Sequence, residues 1–224
     1  MVDMKSKVKH YDDVYTRYTA DARCSVSIDN LSKAQQRVRQ VLKSFGISAN
    51  ATRALDIGCG LGNVAEALRL EGAHVTALDA SAVVIRRAKQ MFPEVDWRCG
   101  LFPQDFPQDE TFDLIWILDV STLNTFDVQE MKPFLDSATA LLKPGGALVM
   151  GWHSDFSGTV KGNWAHWPLR TIRDLRRLVG FAGPRVPQVT FAFLSWIIIL
   201  VCRMIGKSCP IFFKWTAIAR SMTT

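Results

Sequence analysis

The stretch Leu55-Asp56-Ile57-Gly58-Cys59-Gly60-Leu61-Gly62 decides how this chain folds. A short apolar strand, Ala54 to Ile57, runs into three glycines spaced two apart, and Val64 to Leu70 then resumes as an amphipathic helix stopped by Gly72. Glycines at such a junction let the backbone turn tightly and approach a ligand closely, beside a helix N-terminus. The next apolar run, Val75 to Leu78, is a second strand, and it ends on Asp79, 21 residues after Gly58. A carboxylate there is placed to accept hydrogen bonds from both ribose hydroxyls of an adenosine cofactor. Strand, turn, helix, strand and terminal acid fall in that order.

The same alternation continues outward. Ser81 is an N-cap residue for a helix to about Phe92, and Pro93 stands beyond it. Val95 to Cys99 reads as a third strand, Phe112 to Leu118 as a fourth and fully buried one, and Ala147 to Trp152 as a fifth. Phe134, Leu135, Ala138, Leu141 and Leu142 stripe a helix that Lys143-Pro144-Gly145-Gly146 ends. Leu169, Ile172, Leu175 and Leu178 stripe another, which Gly180 ends. Strands and helices alternating at this spacing form βαβ units, so the expected fold is α/β, a doubly wound parallel sheet with helices on both faces. Ahead of it, residues 1–50 form a helical segment, with Tyr11, Tyr15 and Tyr18 on one face. The expected domain occupies residues 51–224.

At 224 residues, 48% apolar and 21% charged, the chain is globular and neither disordered nor fibrous. Its five cysteines make no CxxC pair, so neither a disulfide framework nor a zinc site is indicated, and no metal is expected. The start, MVDMKSKVKH, lacks the apolar core of a secretory signal. A cytoplasmic location follows as the expectation. Charge is unevenly spread: residues 1–160 carry a net −3, and residues 161–224 a net +9 with Asp174 as their single acid. A basic end points to phosphate, on nucleic acid or at a membrane surface.

The dinucleotide fingerprint GxGxxG would require glycine at position 63, where Asn63 stands. The GxGxG run instead resembles the first motif of the class I S-adenosylmethionine-dependent methyltransferases. Phe112-Asp113-Leu114-Ile115 resembles that family's fourth-strand motif, and Leu142-Lys143-Pro144-Gly145-Gly146 the turn before its fifth strand. The closing Trp215-Thr216-Ala217-Ile218-Ala219-Arg220 resembles the hairpin strand that ends many members. A dinucleotide-binding Rossmann domain is the competing reading. The resemblance implies a Rossmann-like sheet of seven strands with an antiparallel last strand, and S-adenosyl-L-methionine as cofactor. It implies that Gly58, Cys59, Gly60 and Gly62 line the methionine part and that Asp56 orients the amino group. Asp79, followed by Ala80, would hold the ribose, and Asp119 would sit between the methionine moiety and the acceptor. Many members carry an acid after the third strand to hold the adenine amine. Here Gly100-Leu101-Phe102 stands in its place, so either Asp105 or a backbone carbonyl holds that amine, or adenine packs against Leu101, Phe102 and Leu61.

Acceptor chemistry in the family is read after the fourth strand. Asp119-Val120-Ser121-Thr122 matches neither the Asn/Asp-Pro-Pro-aromatic sequence of amine methylases nor the Pro-Cys of cytosine-carbon methylases. A hydroxyl acceptor needs a base near the carboxyl ends of the strands. His153, directly after the fifth strand, and His166, within Trp164-Ala165-His166-Trp167, are the candidates, with Asp119 as a third. Each histidine has a plain structural alternative, as a loop or aromatic-packed side chain. Trp152, Trp164 and Trp167 either build an aromatic acceptor pocket or cover a loop. His10 adjoins the tyrosines, which would lid the cofactor, and His74 lies at the opposite edge of the sheet.

Residues 191–202 contain one polar side chain, Ser195, and 17 uncharged residues separate Arg185 from Arg203. That is short of the roughly 20 apolar residues a spanning helix needs. Part of 191–205 is expected as a helix inserted between the last two strands, suited by Arg203, Lys207, Lys214 and Arg220 to an anionic membrane surface. A buried strand or a dimer interface is the alternative. The expected activity is methyl transfer to a small or lipid-linked acceptor, oxygen favoured over nitrogen. An RNA methyltransferase, reading phosphate through Arg170, Arg173, Arg176 and Arg177, is the second reading, and nucleic acid is the less expected partner. A cofactor-binding, membrane-associated protein without catalysis is the third.

Overall fold

The computed structural model describes residues 8–9, 11–13, 15–16, 28–118, 120, 131–154, 188–190 and 213–220. The chain divides within its fourth strand into two compact units, Met1–Trp116 and Ile117–Thr224.

The first unit begins with helical residues between positions 8 and 16. Helix α1 (Ile28–Phe45) follows, and it packs its buried Val38, Val41, Leu42 and Phe45 toward α2 (Asn63–Leu70). Strands β1 (Arg53–Ile57), β2 (His74–Asp79) and β3 (Asp96–Cys99) alternate with α2 and α3 (Ala82–Met91). β1 and β2 pair in parallel from Arg53↔His74 to Ile57↔Leu78, and β2 and β3 from Thr76↔Asp96 to Asp79↔Cys99. The glycine turn therefore lies beside the carboxyl end of β2. The core is built from Leu55, Ile57, Ala77 and Leu78 of the strands with Leu68, Val84 and Ala88 of the helices, each 2% exposed or less.

Local chemistry accounts for the boundaries. Gly72 takes φ 96° after α2, and the Ala73 amide returns to the Leu68 carbonyl. Ser81 caps α3 by accepting the Val84 N–H at 3.3 Å. Strand β4 (Phe112–Leu118) presents Phe112, Leu114, Ile115, Trp116 and Ile117, all buried, as its apolar run indicates.

In the second unit, α4 (Met131–Ala140) buries Met131, Phe134, Leu135 and Ala138 and packs on β5 (Leu142–Ser154). β5 starts five residues before the expected Ala147. The Lys143-Pro144-Gly145-Gly146 run is carried inside the strand, with Gly145 at φ 78°, and pairing with β7 (Phe213–Arg220) begins only at Ala147↔Arg220. β7 runs antiparallel to β5 and to the short β6 (Gln188–Thr190). The seven strands hydrogen-bond in the order β3-β2-β1-β4-β5-β7-β6. Strand order reverses at β1 and β4, the switch point beside which α/β sheets bind ligands.

Residues 17–27 of the expected N-terminal helical segment, the expected helix over 169–178 and the apolar run 191–205 lie outside the described residues. Among the described residues, no helix is long and apolar enough to cross a membrane.

Candidate cofactor site

The turn after β1 is held from below by the second strand. The amides of Gly58 and Cys59 both donate to the Leu78 carbonyl, at 2.8 and 3.1 Å, and Gly62 N–H closes back on the Cys59 carbonyl at 3.0 Å. Gly58, Gly60 and Gly62 take φ of 73°, 52° and 82°, the left-handed region that L side chains rarely adopt. Gly62 has a second reason to lack a side chain. A Cβ there would lie 2.2 Å from the Trp97 ring, whose indole N–H is fixed on the Phe92 carbonyl at 2.8 Å. The space beside Gly60 holds the Tyr15 hydroxyl, 3.3 Å from where a Cβ would stand.

Asp79 ties the turn to the next helix. One carboxylate oxygen accepts the Gly60 N–H at 2.9 Å and the other the Ser81 N–H at 2.9 Å. Each oxygen keeps a lone pair for a further donor. Desolvation pushes the Asp79 carboxyl above the ordinary range, the amides of Ser81, Gly60 and Ala80 oppose that, and the nearby Asp12 carboxylate adds to it. Asp56 lies deeper, 1% exposed. Burial, and then the charge on Asp79, push its pKa from 3.8 to about 8, while the Ala65 amide pulls it down. Its Oδ2 has no hydrogen-bond partner. A buried carboxyl oxygen without a donor is costly, and it marks where a ligand donor belongs.

Two cysteines flank these acids. Burial, followed by Asp56 and Asp79, raises the Cys59 thiol, and its Sγ lies 3.8 Å from the Gly60 carbonyl. Cys99 is exposed; desolvation raises its thiol as well, with Asp79, Asp12 and Asp105 adding to the shift. Both are thiols rather than thiolates at neutral pH, which leaves them poor nucleophiles.

Beyond β3, the Gly100 amide donates to the Asp79 carbonyl at 3.0 Å, and Asp105 folds back so that its Oδ2 accepts the Leu101 N–H at 2.9 Å. Asp105 thus stands beside the segment where the sequence lacks an adenine-holding acid. Phe102 differs from its expected place against adenine. It is 7% exposed and packs on Phe106, which in turn packs on Phe112, each pair with ring centroids 6.1 Å apart. Leu61 and Leu101 are half-buried and keep apolar surface at the rim.

The structure brings Asp56, Gly58, Cys59, Gly60, Gly62, Asp79, Ala80 and Leu101 to the carboxyl ends of β1 to β3. His74 is exposed at the far end of β2. His153 is on β5 opposite Lys214 of β7. Asp119, His166 and His10 lie outside the described residues, as do Trp164, Trp167 and the arginines at 170, 173, 176 and 177. Sequence reasoning missed Asp12, whose carboxylate accepts the Ser81 hydroxyl proton across 69 residues of chain, and Trp97 beneath Gly62. No periodicity links either pair, and only the proximity of the tyrosines hinted at the first.

A parallel α/β sheet with this turn and a carboxylate closing the second strand defines a class by fold and site, and that fold is the one of the class I S-adenosylmethionine-dependent methyltransferases. Within it, residues 54–146 match the family described as a methyltransferase domain. Among curated relatives, the chain is 37% identical over 114 residues to a ubiquinone biosynthesis O-methyltransferase of Maricaulis maris (strain MCS10), covering 47% of this chain and 43% of that protein. It is 31% identical over 156 residues to a demethylmenaquinone methyltransferase of Tropheryma whipplei (strain Twist), covering 66% and 62%. The matches span 43% to 53% of the length of the seven O-methyltransferase relatives. Among solved structures, magnesium protoporphyrin IX methyltransferase from Synechocystis PCC 6803 with bound SAM superposes with a TM-score of 0.63 at 17% identity, over 99% of this chain and 98% of that one. That likeness is one of fold.

The residues present fit S-adenosylmethionine, the cofactor of this family. The unpartnered Asp56 Oδ2 awaits a donor, Asp79 retains acceptor capacity, and the glycine turn is open to close backbone approach.

Proposed function

We propose that the protein transfers a methyl group from S-adenosylmethionine to a hydroxyl of a small or lipid-like acceptor. The observation that carries the cofactor half is the Asp56–Asp79 pair at the glycine turn, one carboxyl buried without a donor and the other anchoring the turn. Similarity to relatives named for quinone O-methylation supports an aromatic hydroxyl as the acceptor.

When bound, S-adenosylmethionine supplies an electrophilic methyl on a sulfonium, so the protein's work is alignment and proton removal. Asp79 accepts from the ribose hydroxyls and Asp56 from the amino group, and Gly58, Gly60 and Gly62 admit the methionine moiety against the backbone. Asp105 or a backbone carbonyl beside Leu101 takes the adenine amine. Asp119, at the end of β4 in sequence, is assigned to the acceptor side by the family resemblance. His153 or His166 would take the proton of the acceptor hydroxyl. The run 191–205, set in the chain's +9 end, brings the enzyme to an anionic membrane surface where a lipid-linked acceptor resides.

The test is turnover on catechol- and quinol-type phenols with labelled cofactor, compared with His153→Ala, His166→Ala and Asp119→Asn. Methyl ether formation by wild type, with a hundredfold to ten-thousandfold loss in one histidine variant and cofactor affinity kept, is expected for a general base. Wild-type methylation of amines but not phenols overturns the hydroxyl assignment.

A further inference from the structure

We propose that Asp12 is a specificity-determining residue of the cofactor site, making it selective for the cationic methyl donor over the neutral thioether product. The inference rests on the cofactor assignment and is independent of the acceptor.

Asp12 belongs to the helical residues near the N-terminus, yet its carboxylate accepts the hydroxyl proton of Ser81. Ser81 is 1% exposed, and its amide donates to Asp79. The two carboxylates therefore end on one residue, Asp79 on its N–H and Asp12 on its O–H. Their fields overlap, since Asp12 helps hold the Asp79 carboxyl up. A separate contact places the same segment on the glycine turn: the Tyr15 hydroxyl reaches the open side of Gly60, and Tyr11 packs on Tyr15 with ring centroids 6.4 Å apart.

The described ion pairs leave these acids uncompensated. Arg39 pairs with Glu71, Arg53 with Glu110, Arg69 with Glu66, Arg98 with Asp96 and Glu110, and Lys132 with Asp136. None engages Asp12, Asp56 or Asp79. Like carboxylates brought together in a partly desolvated cleft repel, and a cation entering beside them relieves that cost. S-adenosylmethionine carries one positive charge more than S-adenosylhomocysteine, and the two are otherwise nearly the same shape. The charge is lost when the methyl leaves. An acid pair near the ribose therefore favours donor over product and promotes exchange after each turnover.

The size follows from Coulomb's law. Two unit charges on the order of 10 Å apart, at an effective dielectric of about 40, interact strongly enough to change a binding preference about fivefold, which sets the scale expected of one added carboxylate.

The experiment is calorimetric titration of the full chain with each ligand, in wild type, Asp12→Asn, Asp12→Ala and Ser81→Ala. The asparagine keeps an oxygen for the Ser81 hydroxyl and removes the charge. The preference for S-adenosylmethionine is expected to fall about fivefold in both Asp12 variants. Ser81→Ala removes the hydroxyl that holds Asp12 and should lower the preference in the same direction. Thermal unfolding without ligand shows that each variant is folded. An Asp12→Asn variant with wild-type preference overturns the proposal, as does an Asp12→Ala variant that weakens donor and product alike. Wild type that binds neither ligand overturns the cofactor assignment beneath it.

Discussion

Replacing Asp56 by asparagine should remove the pH dependence of stability that this side chain imposes. In the folded protein the carboxyl holds its proton to about pH 8, whereas an ordinary aspartate releases it near 3.8. Between those values the native state binds about one proton more than the unfolded chain, so unfolding free energy falls as pH rises, by about 1.4 kcal/mol per pH unit. The Asp56 contribution is complete below pH 3.8, erodes through the neutral range and levels off above about pH 8. Asparagine cannot titrate, and its amide oxygen can still accept the Ala65 N–H. Its NH2 takes the place of the unpartnered oxygen and imposes a cost that does not vary with pH. Relative to wild type, the variant should therefore gain roughly 3 kcal/mol between pH 5 and 7.5. Asp79, raised in the same direction, titrates in both proteins and cancels in the difference. Urea unfolding of the ligand-free proteins at pH 5, 6.2 and 7.5 measures it. Unfolding curves that keep a constant separation across that range would refute a protonated Asp56. A companion measurement reads the same proton: binding of the cationic cofactor should release it near pH 6.5, visible as a buffer-dependent enthalpy.

Three further outcomes follow from the same geometry. Asp79→Ala leaves the Gly60 and Ser81 amides without their acceptor and removes the carboxylate proposed to hold the ribose, so cofactor affinity should fall tenfold to a hundredfold by calorimetry together with a lower Tm. Unchanged affinity removes Asp79 from the site. Gly62→Ala forces a Cβ against the Trp97 ring at φ 82° and should cost about 2–4 kcal/mol in chemical denaturation, part of which Trp97→Leu restores in the double variant. Equal stability of Gly62→Ala and wild type contradicts that packing. Trp196→Asp with Ile199→Asp should abolish sedimentation with anionic liposomes while Tm and cofactor binding are kept; collapse of the fold would assign 191–205 to the core.

How far the sequence reveals this architecture depends on how local each determinant is. The β1 turn, the Ser81 cap, the Gly72 stop and the buried β4 run are set by residues within one turn or strand of one another, and they read directly. Asp12 and Ser81 are 69 residues apart, and neither has a pattern that anticipates the other. Trp97 sits on a strand with half-exposed residues, so its role in demanding glycine at 62 emerges only when β3 packs under the turn. Phe102 misled for a related reason. Its position after β3 suggests a ligand-facing ring, but Phe106 and Phe112 offer a core partner on the other side, and burial prevails. At β5, a Pro-Gly-Gly sequence reads as a turn. One glycine at positive φ instead lets the extended backbone pass through it.

The cradle around Asp79 is a place where stability is given up for recognition. Asp79 spends a lone pair of each oxygen on fixing the turn and the start of α3, which sets the loop before any ligand arrives. That preorganisation holds Asp56 and Asp12 close to Asp79, with no described cation among them, at an electrostatic cost to the fold. An apolar residue at 56 would relieve the largest part of it, with no loss of strand pairing, because the β1 register is carried by backbone. Retaining a buried acid with an unsatisfied oxygen makes physical sense if a positively charged donor completes it. By the same reasoning, binding energy comes from relief of strain already present in the folded chain. The cofactor should then stabilise the protein against heat more than S-adenosylhomocysteine does, because its sulfonium brings to the acids a positive charge that the thioether lacks.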